Sequence, residues 1–377
     1  MKNDQYWMQY AIELAKHGIG TTHPNPRVGA VIVDKNGAIL GEGWHERAGQ
    51  PHAEPCAIAD ARARQHSQLA EKFSEATIYV TLEPCASAGR TPACTQAIID
   101  AGMGRVVYGS SDPNPRMAGG HQSLQNAGLV VLGGILCDQT DLLNRPFFHY
   151  QSTQLPYVIA KAAISLDGNL ATHAHHSQWI SGPASRHHAH QLRAESDAIM
   201  VGAGTLLHDN PSLNVRETPM IGDTPLRVVM ALETPPFFHH CKLLSQDAPS
   251  RIYSCLGNEN DQLWQDAGME LILVDDLHSA LLHLASDGKL QILVEGGGAL
   301  HAAMFEQRFA TELVLYQAPL LIGGTHAIGL WQGEGAVHID HALRLQHVER
   351  TMLGEDQLIR GRIIYPVDAS SSVESSC

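Results

Sequence analysis

Four side chains in the N-terminal part of the chain have the types and spacing of a catalytic metal site. His52 and Glu54 stand two residues apart in PHAEPCAIAD, and Cys85 and Cys94 follow in TLEPCASAGRTPAC. An imidazole and two thiolates suit zinc, and three protein ligands leave the fourth tetrahedral position open, as catalytic zinc requires. Zinc lowers the pKa of a bound water from about 15.7 to about 7. Glu54 would then carry a proton from that water to a leaving amine.

The order of these residues favours a zinc-dependent deaminase. H-x-E followed by P-C-x-x-C is the pattern of that class, although eight residues separate Cys85 from Cys94 here. Each half of the pattern is weak alone, because His52 and Glu54 could simply be the polar start of a helix. Cys56 is an alternative fourth ligand, which would close the metal to water. We interpret it instead as a buried, small apolar residue.

Local patterns predict the elements that must position these side chains. TIYVTL (77–82) is a β-branched run typical of a strand, and TPACTQAIIDAG (91–102) has helical spacing with Gly102 as its C-cap. PHAEPCAIADARARQH (51–66) predicts a further helix, in which Pro55 is tolerable only near the N-terminus. The metal ligands would therefore lie at a strand end and at two helix starts, where helix dipoles favour anionic groups.

The composition indicates a globular protein of two domains. The chain has 377 residues, of which 44% are hydrophobic and 17% charged. Its net charge of −14 argues against general adhesion to nucleic acid or anionic lipid, and it has no apolar run that could span a membrane. The N-terminus lacks a signal-peptide pattern, and the sparse cysteines suit a reducing compartment. We expect a cytoplasmic homo-oligomer that acts on a small molecule, without nucleic-acid or membrane partners.

The second half of the chain predicts a separate α/β domain, because buried strand patterns alternate with helical ones. RPFFHYQSTQLP ends in proline and interrupts the preceding pattern. The predicted divisions are a first domain over 1–147, a linker over 148–156, a second domain over 157–366 and a polar tail over 367–377.

Two glycine clusters in the second half follow predicted strands, in VGAGTLLHDNP (201–211) and EGGGALHAA (295–303). Glycines there could bring backbone amides close to a phosphate. Neither cluster completes G-x-G-x-x-G, so a tight turn and a nucleotide site remain equally compatible with the pattern. The histidine-rich stretches HAHH (173–176) and HHAH (187–190) are interpreted as polar surface.

Four segments of the first half resemble the deaminase half of the bifunctional RibD family of bacterial riboflavin biosynthesis: HPNPRVGAVIV (23–33), GEGWHERAGQPHAE (41–54), TLEPCASAGRTPAC (81–94) and DPNPRMAGGH (112–121). The family shows the same long spacing between its cysteines. The resemblance implies a three-layer cytidine-deaminase-like fold. It also implies one zinc ion on His52, Cys85 and Cys94, Glu54 as proton shuttle, Asn25 near the base and His45 in the pocket wall. Where the family commonly has two histidines, this chain has Ala86 and Ser87, so substrate contacts by those imidazoles are not expected.

Four later segments resemble the reductase half of the same family, which is similar to dihydrofolate reductase: KAAISLDGNLAT (161–172), SQWISGPASR (177–186), LRAESDAIMVGAGTLLHDNPSLNVR (192–216) and VEGGGAL (294–300). The resemblance implies an α/β fold that binds NADPH. Implied NADPH contacts are Ala163, Trp179, Thr205, Asp209, Gly297, Gly298, Ala299, Leu300, His301, Ala302 and Ala303. Implied substrate contacts are Ser177, Arg193, Leu213, Arg216 and Glu295. Arginines suit a sugar phosphate because the guanidinium fork matches its oxygens.

The resemblance implies two successive reactions. The first is zinc-dependent deamination of 2,5-diamino-6-(5-phosphoribosylamino)pyrimidin-4(3H)-one, and the second is NADPH-dependent reduction of the ribosyl to the ribityl side chain. Two alternatives agree less well with the sequence. A nucleic-acid base deaminase with a C-terminal targeting domain would need a basic track and stacking aromatics, whereas the net charge is −14 and only 6% of residues are aromatic. A structural zinc module would need four ligands.

Overall fold

The computed structural model describes residues 2–64, 69–87, 92–220 and 222–366. The polar tail predicted over 367–377 lies outside these residues. The chain divides into two compact units. Unit 1 comprises Met1–Leu155, Ile221–Asp223 and Ala285–Leu290, and unit 2 comprises the remainder. One helix that lies mainly in unit 2, Leu277–Ser286, has its last two residues in unit 1. Within the described part of the chain, every helix is too short or too polar to cross a lipid bilayer.

Unit 1 is a five-stranded sheet with helices on both faces. Its elements are α1 (Asp4–Ala15), β1 (Gly29–Val33), β2 (Ile39–Trp44), α2 (Ala53–Ala63), α3 (Leu69–Ser74), β3 (Thr77–Leu82), α4 (Cys94–Ala101), β4 (Arg105–Ser110), α5 (Gly120–Asn126), β5 (Val130–Leu132), α6 (Cys137–Leu143) and α7 (Arg145–Thr153). The strand order is β2-β1-β3-β4-β5. β1 runs antiparallel to both β2 and β3, whereas β4 and β5 continue parallel to β3.

Alternation along β1 separates the two helical layers of unit 1. Ala30 and Ile32 face a core that includes α2, whereas Val31 and Val33 face the core built on α1. Successive side chains of a strand point to opposite faces, so a strand that is apolar on both must be covered on both. The three-layer cytidine-deaminase-like prediction is therefore confirmed, and the burial pattern of β1 is its cause.

A close approach of α2 to β2 sets the position of the first predicted ligand. A Cβ at Gly43 would lie 2.6 Å from the backbone nitrogen of Ala57, and a Cβ at Gly41 would lie 2.3 Å from the carbonyl oxygen of Ala57. Without side chains at these two positions, the helix can rest directly on the strand. Its N-cap, His52, is thereby held at the edge of the sheet.

Unit 2 contains a nine-stranded sheet and a separate two-stranded ribbon. Its elements are β6 (Tyr157–Ser165), β7 (Asn169–Ala171), α8 (Pro183–Glu195), β8 (Ala198–Gly202), α9 (Ala203–Asp209), β9 (Leu226–Glu233), β10 (Ser250–Leu256), α10 (Asn260–Asp266), β11 (Glu270–Leu273), α11 (Leu277–Ser286), β12 (Gln291–Val294), α12 (Gly298–Glu306), β13 (Ala310–Ala318), β14 (Ile328–Gly329), β15 (Arg344–Leu353) and β16 (Asp356–Ile364). The large sheet has the order β11-β10-β9-β8-β12-β6-β13-β16-β15, and β14 pairs with β7.

The strands from β11 to β13 run parallel, and β15 and β16 close the sheet as an antiparallel pair. Parallel strands need helical crossovers, which explains the alternation of strands and helices along the sequence. β12 lies between β6 and β8 and is buried throughout. The α/β prediction for this half is confirmed. Ligands of such sheets bind beyond the carboxyl ends of the strands, which is where both glycine clusters lie.

The segment predicted as a linker is largely helical. α7 begins at Arg145 and continues to Thr153, with Pro146 in its first turn. Proline is well placed there, because the first helical N–H groups have no partner within the helix. The proline at position 156 then follows the helix end, and the chain divides between Leu155 and Pro156.

Candidate active sites

Three side chains from separate parts of unit 1 meet in one triangle. His52 is the N-cap of α2, Cys94 is the first residue of α4, and Cys85 follows β3. The His52 Nδ1 atom lies 3.1 Å from Cys94 Sγ and 3.8 Å from Cys85 Sγ, and all three ligand atoms lie within 4.8 Å of one another. Among the described residues, this is the one such group of three potential metal ligands.

The donor set and its spacing fit a tetrahedral zinc ion. Zinc bonds of about 2.0–2.3 Å require ligand atoms roughly 3.3–3.8 Å apart. The 3.8 Å from Nδ1 to Cys85 Sγ meets this spacing, and the 3.1 Å to Cys94 Sγ is slightly shorter. The backbone N–H of Cys94 also donates to Cys85 Sγ over 3.2 Å, and Thr95 donates to the Cys85 carbonyl through its hydroxyl. Hydrogen bonding from the Cys94 thiol, with a further contribution from His52, lowers the pKa of Cys85, and the same interaction raises the pKa of Cys94. A thiolate is thus available as a ligand.

Glu54 lies beside this triangle without being part of it. It is in the first turn of α2 and only 3% exposed. Burial raises the pKa of its carboxyl above the ordinary value, which favours the protonated form. Glu54 lines a cavity of about 130 Å³ together with His52 and Cys85. Cys56, by contrast, is only half-buried, and its thiol points to the Pro51 carbonyl oxygen at 3.9 Å.

His45 and Asn25 form a hydrogen-bonded pair in the wall of the same cavity. The His45 Nδ1 atom lies 3.0 Å from the Pro51 carbonyl oxygen, and its Nε2 lies 3.1 Å from the Asn25 side-chain nitrogen. A carbonyl can only accept, so Nδ1 carries the proton and Nε2 accepts from the Asn25 amide. Burial lowers the pKa of His45, which favours this neutral form. The pair fixes the direction of the Asn25 carbonyl oxygen.

Two carboxylates in this cavity wall were not assigned a role from the sequence. Glu83 is buried and accepts the backbone N–H groups of Asp112 at 3.3 Å and His121 at 2.9 Å. Asp112 also lines the cavity, and burial raises its pKa to about 6, with a further contribution from Glu83. Glu83 lies in TLEPC and Asp112 in DPNP, two segments that resemble the deaminase family. Their presence in these segments could have indicated a place in the site. Ala86 donates its backbone N–H to the Met117 carbonyl, and Ser87 is exposed.

Unit 2 has a cavity of about 300 Å³ at the ends of β8 and β12. Several of the residues predicted from the resemblance line it: Ala163, Ser177, Thr205, Asp209, Glu295, Gly297, Gly298, Ala299 and Leu300. The glycine turn before α12 forms one side, where backbone N–H groups at the helix start can meet an anion. The residues at this turn therefore fit a dinucleotide phosphate.

The other predicted residues of unit 2 do not line this cavity: Trp179, Arg193, Leu213, Arg216, His301, Ala302 and Ala303. Trp179 is 67% exposed. Leu213 packs into the core beside β8, and His301 is fully buried. Arg216 has an exposed side chain, while its backbone N–H points to His190 Nδ1 at 3.4 Å. These positions follow from the tertiary packing, and the motifs themselves cannot distinguish them from the lining residues.

Arg193 is bound to a neighbouring carboxylate. Its Nε and one terminal nitrogen donate to the two oxygens of Glu295, each over 2.7 Å, and the other terminal nitrogen donates to the Asn214 carbonyl over 2.9 Å. The fork that was expected to hold a phosphate is therefore engaged within the protein. The structure favours a positioning role for Arg193.

The sequence interpretation missed Lys161, which lines the unit 2 cavity. Its Nζ lies 3.8 Å from a Glu295 oxygen and 5.6 Å from the Tyr316 ring centre. Burial lowers the pKa of Lys161, and Glu295 partly opposes this effect. Burial alone would raise the pKa of Glu295, but the charges of Arg193 and Lys161 outweigh it and hold that pKa at about 2. Lys161 lies in KAAISLDG, within a predicted buried strand. A lysine in a buried strand is rare unless it is paired, and this could have identified it as a site residue.

The prediction of polar surface is wrong for HHAH, which is partly buried, whereas all four residues of HAHH are exposed. In HHAH, His190 is 7% exposed and His188 is half-buried, with its Nδ1 atom 2.7 Å from the Tyr316 hydroxyl. Both follow from the helical period of α8, which turns part of any four-residue run inward. In HAHH, His175 stacks on His208 with ring centres 4.2 Å apart, and both line the cavity.

Comparison with known families gives matches over both halves of the chain. Residues 1–110 match the family described as the cytidine and deoxycytidylate deaminase zinc-binding region. Residues 156–359 match the family described as the RibD C-terminal domain.

Curated relatives and solved structures match almost the full length. The riboflavin biosynthesis protein RibD of Actinobacillus pleuropneumoniae is 39% identical, over 97% of this chain and 96% of that protein. The protein of the same name from Escherichia coli (strain K12) is 36% identical, over 94% and 97%. A structure of Acinetobacter baumannii RibD superimposes with a TM-score of 0.83 at 36% identity, covering 96% of this chain and 99% of that one. A Thermotoga maritima diaminohydroxyphosphoribosylaminopyrimidine deaminase/5-amino-6-(5-phosphoribosylamino)uracil reductase gives a TM-score of 0.81 at 31% identity, with the same coverage.

Proposed function

This chain belongs to the RibD family of bifunctional riboflavin-biosynthesis enzymes, and on that premise we propose which of its residues carry the two reactions. It is a deaminase and a reductase. The proposed first substrate is 2,5-diamino-6-(5-phosphoribosylamino)pyrimidin-4(3H)-one, and the proposed second step reduces the ribosyl to the ribityl chain. The observation that carries the first assignment is the triangle of His52, Cys85 and Cys94 with buried Glu54 beside it.

For deamination, His52, Cys85 and Cys94 would hold zinc. When bound, zinc makes a water acidic enough to supply the nucleophile near neutral pH. Glu54 would carry a proton from the attacking water to the departing ammonia, a task that suits a buried carboxyl with a raised pKa. The neutral His45 holds the Asn25 amide in one orientation, so that its carbonyl oxygen can accept from the pyrimidine ring.

For reduction, the cofactor supplies a hydride to the first carbon of the opened sugar. Reduction of the resulting C=N bond also consumes one proton, and Lys161 is placed at the cavity to donate it at the nitrogen. Glu295 favours the charged form of Lys161, and Arg193 keeps Glu295 ionised and in place. Arg193 therefore acts on Glu295, and Glu295 acts on Lys161. Of these three residues, Lys161 and Glu295 line the cavity.

NADPH is the proposed nicotinamide cofactor, with Gly297 and Gly298 as the phosphate turn. A Cβ at Gly298 would lie 2.5 Å from the Gly329 carbonyl oxygen, so this turn requires glycine. Trp179, Arg216, Leu213, His301, Ala302 and Ala303 remain predicted contacts that would have to reach the ligands from outside the cavity lining. A homo-oligomer in the cytoplasm is likewise our proposal.

Two separate readouts test this assignment. The full-length protein, loaded with zinc, is incubated with the diaminopyrimidinone ribosylamine phosphate, with and without NADPH. Ammonia release should proceed without NADPH, and NADPH oxidation should begin only once ammonia has been released. NADPH oxidation with no ammonia release would contradict the order of the two steps. Release of ammonia from cytidine in single-stranded RNA, with none from the phosphate substrate, would favour a nucleic-acid deaminase instead.

A further inference from the structure

One wall of the unit 2 cavity is a short segment of residues 328–334, which we name the strap. Ile328 and Gln332 of the strap line the cavity. Its first two residues form β14, which pairs antiparallel with β7. Leu170 and Ala171 of β7 line the same cavity. The strap and β7 together close the side that faces the start of α12.

The strap is attached to the first turn of α12. The backbone N–H of Gln332 donates to the Gly298 carbonyl over 3.2 Å. A Cβ at Gly298 would lie 2.5 Å from the Gly329 carbonyl oxygen and 2.7 Å from Gln332 Cγ. The strap therefore lies in direct contact with the turn at which a dinucleotide phosphate would bind.

A second attachment holds the strap to the last residue of α12. One carboxylate oxygen of Glu306 accepts both the indole N–H of Trp331 and the backbone N–H of Glu334, each over 2.9 Å. A Cβ at Gly333 would lie 2.0 Å from the same oxygen. The Trp331 ring also packs against Phe305, with ring centres 5.1 Å apart. Glu306 itself does not line the cavity.

We propose that Glu306 is a positioning residue for the nicotinamide cofactor. It acts through Trp331 and Glu334 to hold Ile328 and Gln332 as a preformed wall of the cavity. When the wall is in place in only a fraction of the free molecules, the apparent affinity for the cofactor equals the intrinsic affinity multiplied by that fraction. Hydrogen bonds to a carboxylate are stronger than those to a neutral oxygen, so one residue can supply much of this order. The inference rests on the proposed cofactor site.

The test compares NADPH binding with fold stability. Glu306→Ala should raise the Kd for NADPH, measured by calorimetry without substrate, about 5- to 30-fold. The Michaelis constant for NADPH should rise in parallel, with little change in kcat, because Glu306 lies outside the cavity lining and acts on binding. Glu306→Gln retains an accepting oxygen and should stay within about 3-fold of wild type. Glu349→Ala, at an exposed glutamate on β15, is the matched control and should bind as wild type does.

Tryptophan fluorescence gives a second readout. The emission assigned to Trp331, identified by its loss in Trp331→Phe, should change with NADPH in wild type and shift toward that of a solvated indole in Glu306→Ala. Effects of Glu306→Ala and Trp331→Phe on Kd should be less than additive, since both break one hydrogen bond. A lowered melting temperature with unchanged Kd in both variants would overturn the proposal. Wild type that binds no NADPH would instead reject the proposed cofactor site.

Discussion

The guanidinium of Arg193 and the carboxylate of Glu295 form two parallel hydrogen bonds of 2.7 Å. This pair joins the last turn of α8 to the end of β12 in the interior of unit 2. Bidentate pairs of this kind hold both groups in one orientation. The pair therefore sets where Glu295, and next to it Lys161, can lie in the cavity.

We expect this pair to make unit 2 sensitive to acid. The pKa of Glu295 lies at about 2 in the folded protein, against an ordinary value of 4.5. Because the folded-state pKa is depressed, the stabilisation is present above pH 4.5 and is lost as the pH falls toward about 2. Glu295→Gln should lower the free energy of unfolding at pH 6 by roughly 3 kcal/mol. Unit 2 is followed in urea through the unfolding transition whose midpoint changes when NADPH is added. The difference in unfolding free energy between wild type and Glu295→Gln should be smaller at pH 3 than at pH 6. An equal difference at both pH values would contradict this account.

Deprotonation of Lys161 should determine the alkaline limb of the pH profile of kcat for reduction. Burial lowers its pKa from the ordinary 10.5, so kcat for reduction should fall at a pH below that value as the ammonium is lost. Glu295→Gln removes the charge that raises the lysine pKa and should move the limb to lower pH. Lys161→Met should reduce kcat about 10²- to 10⁴-fold. A limb that stays in place in Glu295→Gln would argue against Lys161 as the proton donor.

Glu54→Gln should retain zinc and lose deamination. The ligands His52, Cys85 and Cys94 are unchanged, but an amide cannot shuttle a proton, so ammonia release should fall about 10²- to 10⁴-fold. Metal analysis of the purified variant, with Glu71→Gln on α3 as control, checks the zinc content. Loss of zinc together with Glu54 would mean that this carboxylate is a ligand.

Removal of zinc should separate the two activities. Dipicolinate treatment of the full chain should abolish ammonia release, because the chelator removes the metal that activates the water. NADPH oxidation with the aminouracil phosphate should continue, since the group of potential metal ligands found in the described part of the chain lies in unit 1. Zinc addition should restore ammonia release. Reduction that disappears on chelation, with circular dichroism unchanged, would contradict two independent sites.

Arg216 remains the arginine predicted to hold the substrate phosphate. Its side chain is exposed, so its guanidinium can reach a ligand in the way that Arg193 cannot. Arg216→Ala should raise the Michaelis constant for the substrate about 10- to 150-fold, with kcat little changed. Arg216→Lys should restore binding only in part, because a point charge does not reproduce the fork. Arg344→Ala, at an exposed arginine on β15, is the control. Reduction by Arg216→Ala that matches wild type at limiting substrate would place the phosphate elsewhere.

The catalytic elements of unit 1 were predictable because their determinants are local. A β-branched run predicts β3, and helical spacing with Gly102 predicts α4, which the structure confirms with a left-handed C-cap at that glycine. His52 and Glu54 are two residues apart at one helix start, so a single motif carries their relation. The linker was harder to predict, because Pro156 suggested a break although Pro146 already permitted a helix.

By itself, the sequence determined the two-domain α/β organisation and the zinc-type donor set, since both depend on spacing along the chain. Only the tertiary structure decided the role of Arg193, because its partner Glu295 is distant in sequence and reaches it through the placement of β12 between β6 and β8. Only the tertiary structure shows that Glu306 binds the strap, because the two lie on different elements. Residue types predict which groups can pair. Which of them do pair depends on the order of the strands in the sheet, and local propensity does not encode that order.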